Sequence, residues 1–178
     1  MTAPMLRYLE RLDAHDLDVT IAELKAAQAG ELGLLVLLPE NEKQHVPLVQ
    51  AAAKRAGVPV VGALFPLLIR DGGFVEQGAW LFVVPGRLRA ALLDDINRGG
   101  DAAQRISSAV APLLPDAQRT LFLVFDAMLP NVASIVEGLY VELADRVRYL
   151  GVNAGSETFA AMPCLFDDAR LVSDGVLC

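Results

Sequence analysis

Residues Leu32 to Leu64, LGLLVLLPENEKQHVPLVQAAAKRAGVPVVGAL, contain the most informative pattern in the chain. Leu32 to Leu38 is an apolar run without alternation, which is typical of a strand covered on both faces. Pro47 to Ala56 has proline at a helix start and Gly57 just past its end, so a helix is predicted there. A second strand is predicted from Val58 to Leu64. This order of strand, helix and strand indicates two parallel strands joined by a crossover helix.

The segments on either side of this unit add a helix and a hairpin signal. Thr20-Ile-Ala-Glu23 has the spacing of a capping box, which predicts a helix from about Ile21 to Ala29. Asp71-Gly72-Gly73 is a turn signal between Leu67–Ile69 and Trp80–Val84. A pair of antiparallel strands is therefore expected here, which makes the predicted sheet mixed.

The second half of the chain continues with helices and strands. Asp101 is a suitable N-cap for an amphipathic helix, and Asn131 precedes the clearest 3.6-residue pattern, Val132 to Leu143. Strands are predicted for Leu88–Leu93, Leu121–Phe125, Val147–Val152 and Leu171–Leu177. The predicted fold is one α/β domain over residues 1–178, with a mixed, mostly parallel β-sheet packed by amphipathic helices.

Composition excludes several classes of protein. Hydrophobic residues make up 54% of the chain and charged residues 21%, so intrinsic disorder is excluded. The net charge of −7 disfavours a nucleic-acid partner, because such affinity comes from clustered Lys and Arg. The longest apolar stretch, Val58 to Ile69, is interrupted by two prolines and is too short for a membrane span, which needs about 18 residues. With no secretory signal pattern at the N-terminus, the expected location is the cytoplasm.

Catalytic and metal-binding patterns are weak. His15 and His45 have no partner at ligand spacing, and no glycine-rich phosphate-binding motif follows a strand, so we predict neither a metal nor another cofactor. Cys164 is a candidate nucleophile only if a base lowers its pKa, and its apolar surroundings favour a small buried side chain instead. Ser156 lacks the spacing of a nucleophile elbow.

Two places remain as candidate binding sites. Asp126 ends a predicted strand, and ligands of α/β sheets bind beyond the carboxyl ends of strands, although a turn or capping role fits this residue equally well. The loop Gly151–Thr158 combines small residues with the neutral hydrogen-bonding groups of Asn153, Ser156 and Thr158. A purely structural loop is the alternative.

Five segments together resemble a known family. They are Val60–Pro66 (VVGALFP), Phe122–Asp126 (FLVFD), the Val132–Leu143 helix, Tyr149–Ser156 (YLGVNAGS) and Pro163–Phe166 (PCLF). In order and spacing they are similar to the N-terminal part of the FIST domain, a family named for F-box and intracellular signal transduction proteins. The resemblance extends from about Leu32 to the end of the chain.

The resemblance implies a function in signal transduction. It implies a noncatalytic sensory module for small ligands, with amino acids proposed, that occurs alone or joined to signalling domains. It also implies that the chain is one half of a two-part fold, whose partner is a C-terminal FIST half or a signalling domain, and self-association into a homo-oligomer is a further possibility. The expected ligand-binding residues are Phe65, Asp126, Asn153, Gly155, Ser156, Thr158 and Cys164.

Two positions differ from the family pattern. Asp126-Ala127 and Gly151-Val152 stand where members usually have Asp-Gly and Gly-Gly, and both changes add bulk near the expected pocket. Two other functions stay open at this point. One is a cysteine-dependent enzyme using Cys164, and the other is a protein-interaction module that pairs with a C-terminal half.

Overall fold

The computed structural model describes residues 5–98, 100–114 and 119–178. Its strands are β1 (Leu6–Leu9), β2 (Leu32–Pro39), β3 (Val60–Phe65), β4 (Leu68–Arg70), β5 (Gly73–Val75), β6 (Ala79–Pro85), β7 (Leu92–Leu93), β8 (Arg119–Asp126), β9 (Val147–Ala154), β10 (Leu165–Phe166), β11 (Leu171–Val172) and β12 (Val176–Leu177). Its α-helices are α1 (Ala14–Ala27), α2 (Val46–Ala56), α3 (Ala102–Val110) and α4 (Val132–Leu143). Short 3-10 helices cover Glu40–His45, Ala111–Leu113 and Ala144–Arg146.

The strands form two main sheets and a hairpin. The first sheet has the order β1-β6-β2-β3-β10-β11, the second has the order β7-β12-β8-β9, and β4 pairs with β5. The α/β class and the mixed sheet are confirmed, but the prediction of a mostly parallel sheet is wrong. Within the described ranges only β2–β3 and β8–β9 are parallel pairs. The other strands are added antiparallel, because returning segments such as β6 and β10 need no crossover helix to pair in that direction.

The crossover unit at β2, α2 and β3 is confirmed. Leu34 to Leu38 pairs in parallel with Val60 to Leu64. The helix between them ends at Gly57, whose φ of 64° is the left-handed conformation that glycine adopts without strain. The local pattern therefore predicted this unit correctly.

The first helix begins earlier than predicted. Asp13 is its N-cap and accepts a hydrogen bond from the Asp16 amide at 2.9 Å. Thr20 lies inside the helix on its buried face, so the predicted capping box is wrong. Leu17, Ile21 and Leu24 lie on the same face, and this packing against the core selects the longer helix.

Three strand predictions are corrected by the pairing. The Asp71-Gly72 turn closes the β4–β5 hairpin, whereas Trp80 and its neighbours in β6 pair with β1 and β2. Only Leu92–Leu93 of the predicted Leu88–Leu93 strand is extended in a sheet. The predicted last strand is divided into β11 and β12, which belong to different sheets.

The core has two parts, one for each main sheet. Helices α1 and α2 cover the first sheet, where Leu34, Val36 and Leu38 are fully buried. Helices α3 and α4 cover the second sheet, with Ile106 and Leu139 fully buried. Among the described residues, the structure has no helix with the length and apolar character needed to cross a membrane.

Candidate functional site

The carboxyl ends of both parallel strand pairs lie at the same end of the molecule. The Gly155 amide, just after β9, donates to the Leu64 carbonyl in β3 at 2.9 Å. The Ser156 hydroxyl donates to Glu40 Oε1, just after β2, at 2.8 Å. The Ala127 amide, just after β8, donates to the Ala154 carbonyl at 2.7 Å. We call this region, with Glu40, Asp126, Ser156 and Thr158, the polar end.

Asp126 is buried at the polar end and links two turns. Its side chain is 2% exposed. Oδ1 accepts from the Met128 amide at 2.9 Å, and Oδ2 accepts from the Asp174 amide at 2.7 Å. Both oxygens therefore have a capping role in these two turns.

The loop after β9 is built around Ser156 and Glu40. The Ser156 hydroxyl also lies 2.9 Å from Thr158 Oγ1 and accepts from the Thr158 amide at 3.1 Å. Glu40 Oε2 accepts from the Glu157 amide at 2.9 Å. A single carboxylate from the first sheet thus holds the loop that follows the last parallel strand of the second sheet.

Gly155 is needed at its position for two reasons. Its φ of +149° lies in a region that residues with a side chain rarely adopt. A Cβ built at this position would lie 3.3 Å from the Cβ of Ala127. A side chain at position 155 would therefore meet the methyl group of Ala127.

The remaining predicted ligand-binding residues lie around this loop. Asn153 and Thr158 are exposed, while Phe65 is half-buried against the first core. Of the other two aromatic residues near the strand ends, Phe125 is buried in the second core and Phe159 is 77% exposed.

Cys164 lies beneath the polar end and is fully buried. Its carbonyl accepts from the Leu64 amide at 2.8 Å, which connects it to β3. Burial raises the pKa of the thiol, and the charge of Asp126 and a hydrogen bond with Asp126 raise it further. The charge of Lys43 lowers the pKa, but the net result is a value of about 12. The thiol is therefore protonated at neutral pH, the opposite of an activated nucleophile.

Glu40 and Lys43 are functional candidates that were not among the predicted site residues. Both lie in the 3-10 helix that follows β2, and the charge of Lys43 acts on Cys164. In the described part of the chain, the Lys43 ammonium makes no hydrogen bond or ion pair. The available signal was a polar segment directly after a buried strand, which is the position where α/β sheets place ligand contacts.

The neighbouring Glu42 has a structural role, because both of its carboxylate oxygens have partners within the protein. It is 7% exposed, its Oε1 accepts from the Gly78 amide at 2.9 Å, and its Oε2 contacts His45 Nδ1. No group of three or more potential metal ligands occurs among the residues that the structure describes.

Comparison with known proteins agrees with the motifs in the sequence. Searches of curated proteins and of solved structures returned no match. A family model described as the FIST N domain matches residues 32–178. The match begins at β2 and contains every residue of the polar end. Because it spans most of the chain, we conclude that this protein belongs to the FIST family, whose domain is associated with signal transduction.

Proposed function

We propose that this chain is a noncatalytic sensory domain that binds a small polar ligand, an amino acid being the leading class, at the polar end. The observation that carries the proposal is the contact between Glu40 and Ser156, which brings groups from the ends of β2 and β9 within 2.8 Å. Loops at the carboxyl ends of parallel strands are the usual ligand sites of α/β sheets.

The charges at the polar end support a zwitterionic ligand. Glu40 accepts from Ser156 and Glu157 and keeps further lone pairs for an ammonium group. Lys43, whose charge acts on Cys164 beneath this end, offers an ammonium to a carboxylate. Thr158 and Ser156 add hydroxyl groups that hydrogen-bond either kind of partner. Hydrogen bonds with a charged partner are stronger than neutral ones, so this combination favours amino acids over uncharged compounds.

The raised pKa of Cys164, the buried thiol at this end, supports a noncatalytic domain. A nucleophilic cysteine needs a lowered pKa, and burial beside Asp126 raises that of Cys164 to about 12. In a cysteine-dependent enzyme a cationic group would lower the pKa of the thiol, whereas here the charge of Lys43 is outweighed by burial and Asp126. We therefore favour a binding function for the polar end over catalysis by Cys164.

The proposal includes a protein partner and a cytoplasmic location. The partner is a C-terminal FIST half, since the matching model describes an N domain. Apolar side chains on α4 and β9 support this part of the proposal: Tyr140 is 54%, Val141 83% and Leu150 59% exposed. Light scattering of the purified chain over a range of concentrations distinguishes this partner from a second copy, because self-association would raise the apparent mass.

Calorimetric titration with a panel of amino acids tests the ligand. We expect one or a few to bind, and Ser156→Ala to weaken the binding by about 1 to 3 kcal/mol because a ligand group loses its partner. Ser156→Ala should also lower the free energy of unfolding by about 1 kcal/mol, since its hydroxyl contacts Glu40.

Asn153→Ala separates the two effects. Its side chain is exposed, so the substitution should weaken binding while leaving the free energy of unfolding unchanged. Ser108→Ala, an exposed serine of α3, is the matched control and should change neither quantity. A folded protein that shows neither heat nor a thermal shift with the whole panel would remove the amino-acid proposal.

A further inference from the structure

A cavity lies at the end of the strands opposite to the polar end. It has a volume of about 590 Å³ and is bordered by Val61 at the start of β3, Thr120 and Phe122 at the start of β8, and Pro85 at the end of β6. This volume is within the range of roughly 300 to 1,000 Å³ that is typical of small-molecule pockets.

The wall of this cavity is mainly aliphatic and lies between the two cores. Leu35 and Phe122 pack against the first core, whereas Leu114 and Cys178 pack against the second. All four are only half-buried, although they face the inside of the molecule. When an apolar ligand covers surface of this kind, the apolar area is removed from water, and this lowers the free energy of the complex.

Two arginines supply the charge at this cavity. Arg87 and Arg89 both border it, and both are exposed. Arg89 Nη1 donates to the Leu113 carbonyl at 3.0 Å, and neither arginine has a carboxylate partner among the described residues. The guanidinium groups are therefore available to an external oxyanion, which they bind in a planar, bidentate manner.

We propose that this cavity binds an amphiphile with an aliphatic chain and an oxyanionic head. The chain lies against Leu35, Val61 and Phe122, and the head pairs with Arg87 and Arg89 at the mouth. The site is separate from the polar end and does not depend on the function proposed there. Carboxylate and phosphate heads share this chemistry, so the experiment includes both.

Titration with dodecanoate, monododecyl phosphate and 1-dodecanol, each below its micellar concentration, tests the proposal. We expect saturable binding of one molecule of at least one anionic probe, and binding about tenfold weaker for the alcohol, because it lacks the charged hydrogen bonds. The anion that binds with the higher affinity shows whether the site prefers a carboxylate or a phosphate head group. Equal affinity for the alcohol and both anions, or no binding of any probe to the folded protein, would overturn the proposal.

Variants locate the site. Arg87→Gln together with Arg89→Gln should weaken binding of the anion about tenfold and leave binding of the alcohol unchanged. The matched control replaces Arg146 and Arg148, which are exposed near the start of β9, and should have no effect. Leu35→Trp should fill the cavity and abolish binding. Should that variant fail to fold, Thr120→Trp at an exposed position of the wall serves the same purpose.

The cysteines give an independent readout. Cys178 borders the cavity, whereas Cys164 is fully buried elsewhere. Bound dodecanoate should slow the modification of Cys178 by a maleimide in proportion to its occupancy. Binding that persists in the folded tryptophan variants, or that leaves the rate at Cys178 unchanged, would place the amphiphile outside this cavity and overturn the proposal.

Discussion

The two ends of the parallel strands differ in chemistry although the same strands build both. At the carboxyl end, Asp126 and Glu40 accept hydrogen bonds from backbone amides of the loops that follow the strands. At the amino end, half-buried apolar side chains and two arginines without carboxylate partners border a cavity of about 590 Å³. The difference shows where polar groups are required. At the carboxyl end side-chain carboxylates accept from loop amides, whereas at the amino end the amides of Gly86 and Cys178 donate to backbone carbonyls, so no carboxylate is required there.

The largest expected effect concerns the carboxylate at the polar end. Asp126→Ala leaves the Met128 and Asp174 amides without their acceptor, so we expect the free energy of unfolding to fall by about 3 kcal/mol. Urea denaturation measures this change. Arg89→Ala at the opposite end removes one exposed hydrogen bond and should cost less than about 1 kcal/mol. Equal losses in the two variants would contradict the contrast between the ends.

A pair of glycines provides the next comparison. Gly155→Ala should lower the free energy of unfolding by about 2 kcal/mol, because its φ of +149° is strained for alanine and the new methyl group meets Ala127. Gly86, close to the cavity, has a φ of +79° and nothing within 4 Å of a built Cβ. Gly86→Ala should therefore cost only about 1 kcal/mol, from the backbone conformation alone. A larger loss at Gly86, measured by urea denaturation, would show that the loop at the polar end is the more tolerant one.

Over the measured range of about pH 8 to 10, the smallest effect is a pH dependence that distinguishes the two thiols. The pKa of Cys164 is raised from 9.0 to about 12, first by burial and then by Asp126. The unfolded thiol loses its proton first as pH rises, so stability should fall between about pH 9 and 12, by at most about 1.4 kcal/mol per pH unit. Below pH 9 this thiol should contribute no pH dependence.

Unfolding by urea at pH 8, 9 and 10 measures this slope. Cys164→Ala should flatten the alkaline decline. Burial also raises the pKa of Cys178 to about 12, but this thiol is half-exposed beside the cavity, so Cys178→Ala should have a smaller effect. An identical slope in the wild type and in Cys164→Ala would contradict the raised pKa.

Local patterns predicted the elements better than their partners. The Pro47–Ala56 helix with Gly57 after it was predicted correctly, because its signals lie within a few residues of each other. The strand around Trp80 was recognised, but its pairing with β2 was not. Strand pairing depends on which sheet edges remain free after the helices have packed. The residues of a single strand do not specify its neighbour.

The candidate site shows the same division. Asp126 was recognisable at a strand end, and its alternative capping role is present in the structure. The position of Glu40 directly after a buried strand was a local signal, but its contact with Ser156 joins residues 116 positions apart and could not be predicted. The charge of Lys43 also acts on the pKa of Cys164 only because the segment after β2 folds over the other strand ends.

The α/β class, the crossover unit and the family could be read from the amino-acid sequence, because hydrophobic periodicity, helix-end residues and the order of motifs are local properties. Three features required the folded structure: most neighbouring strands are antiparallel, Glu40 supports the loop after β9, and a cavity lies between the two cores. These three features depend on how separate elements meet. Their free energy comes from contacts between distant residues, which no short segment of the chain encodes.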